Sequence, residues 1–373
     1  MTGGEKTGIT SFIQEAGQHL IVDVRSPKEF THAHIPGAVN IPVFDDEERK
    51  VVGTIYKQES RELAIKKALD FWGPKMRLII EQAETLLEQH QHKNTERTTA
   101  APTTFYLYCW RGGMRSQAMG WLLQLYGFKV KVLTGGYKSF RRWALHALAF
   151  PYQLKVLGGF TGSGKTELLQ EIAQRGELVV DLEKLASHKG SAFGKNGVQP
   201  TQEQFENNLA LTLHATWEKS RVIENNNGGL KSLLGQKKPI WVEDESQRIG
   251  QLNIPPAFWS TMREAPVYFL DIPFEKRLDY ITQQYAQLGT AYLEGGIQRI
   301  SKRLGGVAAK AALDSLENND LSSCFHILLA YYDKSYQKGL HNRKHLSSLL
   351  TKVTCDKVTT DNANLLLSNH SFV

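Results

Sequence analysis

The sequence predicts an α/β fold in two parts, each built on its own parallel sheet. Short apolar, β-rich runs alternate with helix-period segments through residues 19–149, and the alternation starts afresh after Pro151. At 373 residues the chain is long enough for two cores of ordinary size. A glycine-rich turn from Gly159 to Thr166 joins a strand to a helix at the head of the second series.

In chain order, "HLIVDVRS" (19–26) reads as a buried strand running into a turn. "HIPGAVNIP" (34–42) follows as a turn and a short strand, punctuated by Pro36-Gly37. Residues 58–90 carry helical periodicity broken at Gly73-Pro74, which predicts two helices. The polar stretch 90–104 lacks apolar periodicity and predicts a surface loop. A strand (105–108), a loop at Cys109, a helix (116–126), a strand (130–136) and a helix (137–149) close the first series.

The second series predicts strands at 154–160, 177–182, 239–245 and 265–272. One helix is expected from Lys165, a long one over 201–224, and a loop at "ENNNGG" (224–229). From Pro273 to about Leu350 the pattern is mostly helical, with breaks expected at Gly295-Gly296 and Gly305-Gly306. The expected organisation is therefore a domain over 8–145, an α/β domain over 151–290, and a mostly helical region over 291–373 packed on the second domain.

Apolar residues make up 41% and charged residues 22%, a globular composition with no run of the roughly 20 apolar residues that a membrane helix needs. "MTGGEKTGIT" lacks the pattern of a signal peptide, so the expected location is cytoplasmic, with no membrane partner. Three cysteines, Cys109, Cys324 and Cys355, make neither a disulfide framework nor a zinc pattern. The net charge of +7 is concentrated: residues 101–150 hold seven Lys/Arg and no Asp or Glu, which suits an anionic substrate or a polyanion.

"GGFTGSGKTELL" supplies Gly159, Thr161, Gly162, Ser163, Gly164, Lys165 and Thr166 in the spacing of a phosphate-binding loop. Its glycines let backbone N–H groups turn onto phosphate oxygens. The helix N-terminus and Lys165 add positive charge, and the Thr166 hydroxyl suits Mg²⁺. "PIWVEDES" (239–246) is an apolar strand ending in acids, where Glu243, Asp244 and Glu245 are candidates to orient a metal or phosphate; a strand end with solvated acids is the alternative.

Cys109 stands at the carboxyl end of a strand, where α/β folds place their sites. A curled loop, the following helix N-terminus, Arg111 and Arg115 all favour a thiolate there, with no acid nearby in the sequence. Cys109, Arg111 and Arg115 are the candidate catalytic set. Cys324 and Cys355 are expected to be structural.

"IVDVRSPKEFTHAHIPGAVNIP", "YLYCWRGGMRS" and "VLTGGYKSF" resemble a rhodanese domain over about residues 8–145. That resemblance implies a parallel-sheet domain whose loop cysteine carries sulfur or selenium, with Asp23, Arg25 and Glu29 as scaffold. Joined to a P-loop domain, and with "SHKGSAFG" (187–194), "VEDESQRIG" (242–250) and "YYDKSY" (331–336), the chain resembles the bacterial tRNA 2-selenouridine synthases over nearly its whole length. The fold class is thus a rhodanese-like sheet domain followed by a P-loop NTPase-like α/β domain with a helical C-terminal region.

The resemblance implies a tRNA-modifying transferase acting on the wobble base in the anticodon region. It would S-geranylate 2-thiouridine with geranyl diphosphate and then replace the geranylthio group with selenium from selenophosphate. Cys109 maps as selenium carrier and Gly159–Thr166 as holder of the diphosphate, with Mg²⁺ as a candidate ion. Arg299, Lys302 and Arg303 are basic residues that could meet tRNA, or simply a solvated helix face. Cys109 and Arg115 stand as C-x5-R, one residue longer than in many single-domain rhodaneses and shared with phosphatases of that fold. A rhodanese-fold phosphatase therefore stays open, as does a P-loop kinase or NTPase with a rhodanese sensor, given "DIPFEKRLDYI" (271–281).

Overall fold

The computed structural model describes residues 3–93, 103–188, 197–225 and 238–368. Residues 189–194 of "SHKGSAFG", 226–229 of "ENNNGG" and 94–102 of the polar stretch lie outside the described residues. The chain divides into two compact units, Met1–His146 and Ala147–Val373.

The first unit holds five strands: β1 (Glu5–Thr7), β2 (Leu20–Asp23), β3 (Val39–Asn40), β4 (Thr104–Tyr108) and β5 (Lys129–Leu133). They pair in parallel in the order β1-β5-β4-β2-β3, which makes β4 the central strand. β2 and β4 are buried almost throughout, as their apolar runs require, and Val22, Phe105, Leu107, Met119 and Leu123 anchor the core around them. Burial of each such side chain contributes about 1.5–3 kcal/mol. The two helices expected across 58–90 are Arg61–Trp72 and Met76–Lys93, joined by a short turn at Gly73. A third, Asp46–Gln58, precedes them and starts at a capping box in which Asp45 and Glu48 exchange side-chain and backbone contacts.

The second unit carries β6 (Leu154–Gly159), β7 (Leu178–Val179), β8 (Ile240–Glu243), β9 (Arg248–Ile249), β10 (Leu252–Asn253), β11 (Val267–Asp271) and β12 (Leu350–Thr354). Its main sheet runs β12-β11-β6-β8-β7, all parallel, with β6 central; β9 and β10 pair antiparallel by themselves. The stretch after Pro273 is helical to His341 but then returns to the sheet, because β12 pairs with β11 from Val267↔Leu350 to Asp271↔Thr354. The helices beyond residue 290 belong to the same compact unit as the phosphate-loop sheet. Gly295-Gly296 does not break a helix: both lie inside Thr290–Leu304, with Gly296 buried on the packed face. Gly305 does end that helix, at φ +92°. Among the described residues no helix is long and apolar enough to cross a membrane.

Candidate functional site

The thiol loop leaves β4 directly at Cys109 and ends at the helix Met114–Tyr126. Its outer edge is pinned to the "VLTGGYKSF" segment: the Tyr137 N–H donates to the Cys109 carbonyl at 2.8 Å and the Lys138 N–H to the Trp110 carbonyl at 3.0 Å. Gly136 is required there, since it holds φ +57° and a Cβ on it would stand 2.2 Å from the Cys109 carbonyl oxygen. Inside the loop the sulfur accepts the Gly113 N–H at 3.3 Å and lies 3.3 Å from the Ser116 hydroxyl. Cys109 is buried, as are Cys324 and Cys355, whose thiols burial pushes up to about 11.

The two arginines of the loop differ. Arg111 is exposed. Arg115 donates to Glu29 at 2.9 Å, and Arg49 stands 3.6 Å from the same carboxylate. The expectation that no acid offsets the loop's charge is therefore corrected: Glu29 comes from the short helix Pro27–His32, distant in sequence but adjacent in space. Glu29 also accepts the Ser26 N–H, so one side chain caps its own helix and neutralises Arg115. Burial opposes its ionisation, but Arg115, Ser26 and Arg49 outweigh burial and hold its carboxyl below the ordinary range. Asp23 and Arg25 form a buried bidentate pair, with the Arg25 guanidinium 4.0 Å from the Tyr137 ring centroid. They are framework.

In the second unit the phosphate loop leaves β6, and the helix Lys165–Gln174 starts at its end. Thr161, Gly162, Ser163, Gly164, Lys165 and Thr166 all line a cleft of about 830 Å³, while Gly159 sits behind it. Lys165 Nζ donates to the Gly159 carbonyl at 2.8 Å, and Ser163 Oγ to the Phe160 carbonyl at 2.5 Å. The loop is clamped from behind by the helix Leu321–His341. Asp333 takes both ends of the buried Arg277 guanidinium, at 3.0 and 2.7 Å, and Arg277 in turn donates to the Thr161 carbonyl at 3.0 Å. Tyr336 accepts the Gly159 N–H at 3.2 Å and donates to Asp244 Oδ2 at 2.6 Å.

Asp244 is thus occupied: Arg343 takes its other oxygen in a buried ion pair. Of the three acids expected to orient a metal or phosphate, Asp244 anchors the helical clamp instead. Glu243 is buried, accepts the Glu183 N–H at 2.8 Å with one oxygen, and has no hydrogen-bond partner for the other. Burial raises the Glu243 carboxyl well above its ordinary range, and the Asp181 charge adds to this. Glu245 is pushed up to about 8 by burial and by the Glu183 charge, with Lys165 acting in the opposite direction.

The carboxylate that meets the loop is Glu183, which accepts the Thr166 hydroxyl at 3.0 Å. Sequence inspection missed it because its signal, an acid two residues beyond Asp181 at the end of a strand, is faint alone. Asp333 and Tyr336 were also missed as loop partners, although "YYDKSY" contains both. Thr166, Glu183 and Glu243 offer hard oxygens of the kind Mg²⁺ takes. Among the described residues no group of three or more His, Cys, Asp or Glu could hold a metal by itself. An ion bound mainly through phosphate oxygens and one or two protein oxygens fits that donor set.

Known proteins match this two-part arrangement. The profile of the tRNA 2-selenouridine synthase AAA domain covers residues 152–360, and that of the rhodanese-like domain covers residues 11–142. The chain belongs to the tRNA 2-selenouridine synthase family. A tRNA 2-selenouridine synthase of Nitrosomonas europaea is 32% identical, over 87% of this chain and 90% of its own. That of Shewanella frigidimarina is 36% identical, over 87% and 89%. The synthase-family AAA region spans the phosphate loop and its clamp, and the rhodanese-like region spans Cys109, Arg115 and Glu29.

Proposed function

We propose that this chain converts wobble 2-thiouridine of tRNA to 2-selenouridine in two transfers, with geranyl diphosphate and selenophosphate as co-substrates. The observation that carries it is one chain with two built sites: a clamped phosphate loop and a thiol whose sulfur accepts a loop N–H. In the first transfer the thiocarbonyl sulfur attacks C1 of the geranyl group, the C–O bond breaks, and diphosphate departs. Lys165 and the helix N-terminus take up the charge that develops on the leaving group. Mg²⁺, held by Thr166 with Glu183 or Glu243, would supply further charge neutralisation.

S-Alkylation makes the sulfur a better leaving group. In the second transfer the Cys109 thiolate takes the phosphoryl group of selenophosphate, the P–Se bond breaks and hydrogen selenide is released beside the alkylated base. Selenide then forms the C–Se bond, the C–S bond breaks and geranylthiol departs, while water hydrolyses the S–P bond to phosphate and restores the thiol. Selenium stays at the selenide level throughout, so no oxidant or reductant is needed. Against a kinase stands Arg277, the helical arginine that such a site would aim at a transferred phosphate: here it is buried and bound to Asp333.

Mass spectrometry of tRNA nucleosides tests both halves. Geranyl diphosphate alone should yield geranylthiouridine, and added selenophosphate should convert it to selenouridine. ATP turnover with no geranylated product would sink the proposal.

A further inference from the structure

The cleft over the phosphate loop is larger than a diphosphate needs. Its volume of about 830 Å³ lies near the top of the range for sites that enclose a whole small molecule. Beyond the loop residues and their acids, its lining includes Tyr285, Tyr331 and Tyr332, together with Arg303. Tyr331 and Tyr332 stand with ring centroids 5.3 Å apart at 64°, both only partly buried, on the helix that clamps the loop.

Arg303 belongs to the last turn of the helix Thr290–Leu304. Arg299, Lys302 and Arg303 stand at i, i+3 and i+4, so they share one exposed face, while Leu293, Ile297 and Ile300 bury the other. No Asp or Glu occurs between Gly295 and Leu313, a stretch that also contains Lys310. A cationic ridge therefore runs up to the mouth of the cleft, and aromatic faces begin where it ends. Stacking faces beside a backbone-tracking cationic strip are what single-stranded nucleic acid requires.

We propose that this face is the seat of the single-stranded RNA substrate. Arg299, Lys302 and Arg303 take its sugar-phosphate backbone, and the Tyr331 ring, braced edge to face by Tyr332, stacks on an unstacked base beside the phosphate loop. This deepens the transferase function proposed above, since S-alkylation requires the base and the diphosphate ester in one cleft.

The test is binding of the full chain to an anticodon stem-loop RNA across a salt series, with inorganic diphosphate binding to the wild type measured alongside. The triple variant Arg299→Gln/Lys302→Gln/Arg303→Gln should weaken RNA binding at least tenfold. It should also flatten the plot of log K against log salt by about 2, the loss expected for three single-strand phosphate contacts. Tyr331→Ser should weaken binding roughly tenfold while Tyr331→Phe keeps it, because a phenyl ring stacks as a phenol does. A folded triple variant with wild-type affinity and slope overturns the seat but leaves the transferase standing. Wild-type protein that binds neither RNA nor diphosphate overturns both.

Discussion

The thiol loop and the phosphate loop occupy corresponding places in their two sheets. Each is a glycine-rich connection leaving the central strand of a five-stranded parallel sheet, with Cys109 at the strand end of one and Lys165 opening the helix at the far end of the other. The difference lies in what holds the positive charge. At the thiol loop, Arg115 is paired with a carboxylate supplied by another helix of its unit. At the phosphate loop, among the described residues, Lys165 hydrogen-bonds to carbonyls of its own loop, the Glu183 and Glu245 charges act on it only through space, and the ion pairs sit one layer back, at Arg277–Asp333 and Arg343–Asp244. A carbonyl is a weak competitor for an ammonium, and a phosphate oxygen displaces it easily. A carboxylate is a strong one. One loop is built to receive charge at once, and the other must first exchange a partner.

Substitution at each loop should separate the two transfers completely, and this is the largest effect expected. Cys109→Ser should abolish selenouridine while geranylthiouridine accumulates. Lys165→Ala should lower the geranylation rate by about 100- to 1,000-fold, the usual consequence of removing one charge-stabilising donor, and still permit selenium insertion into RNA that is already geranylated. Nucleoside mass spectrometry reads both. If Cys109→Ser stops geranylation as well, the sites are not independent and the comparison breaks.

The clamp behind the phosphate loop should matter next. Asp333→Asn leaves a buried guanidinium without its counter-charge, which costs about 3 kcal/mol in a denaturant titration. It should also raise the KM for geranyl diphosphate, because Arg277 no longer holds the Thr161 carbonyl in place. Tyr336→Phe is milder. It strips one donor from Asp244 and one acceptor from the Gly159 N–H, about 1–2 kcal/mol, while Arg343 keeps Asp244 paired. A wild-type KM in both variants would show that the loop holds its shape without the helix.

What was legible in the sequence follows from how locally each feature is specified. The strand, the glycines and the helix start around both loops are short-range chemistry, and they stand where spacing predicted. That Leu350–Thr354 joins the sheet as β12 was not legible, since its pairing with β11 is a contact of long sequence separation. Gly295-Gly296 misled for the opposite reason: glycine usually weakens a helix, but here the helix buries Gly296 on one face with Leu293, Ile297 and Ile300, and that burial overrides the preference. Among site residues, Cys109 and Lys165 announce themselves. Their partners Glu29, Glu183, Asp333 and Tyr336 do not, because each acts across a contact of long sequence separation.

The smallest expected effect sharpens the contrast most. Glu29 has its carboxyl held below the ordinary range in the folded protein, so its pairing contributes stability above its unfolded value and loses it as pH falls through the lowered one. Glu29→Gln should therefore cost about 1 kcal/mol at neutral pH, and the gap to wild type should close in acid. Both partners are about four-fifths buried, at 20% and 21% exposure, so the cost should not vanish in moderate salt. The same substitution frees Arg115 from its carboxylate partner. Inorganic phosphate, standing in for the phosphoryl end of the selenium donor, should then protect Cys109 from alkylation at several-fold lower concentration. Weaker protection would mean that Glu29 positions Arg115 for the anion rather than withholding it, and the two loops would then differ less than their charges suggest.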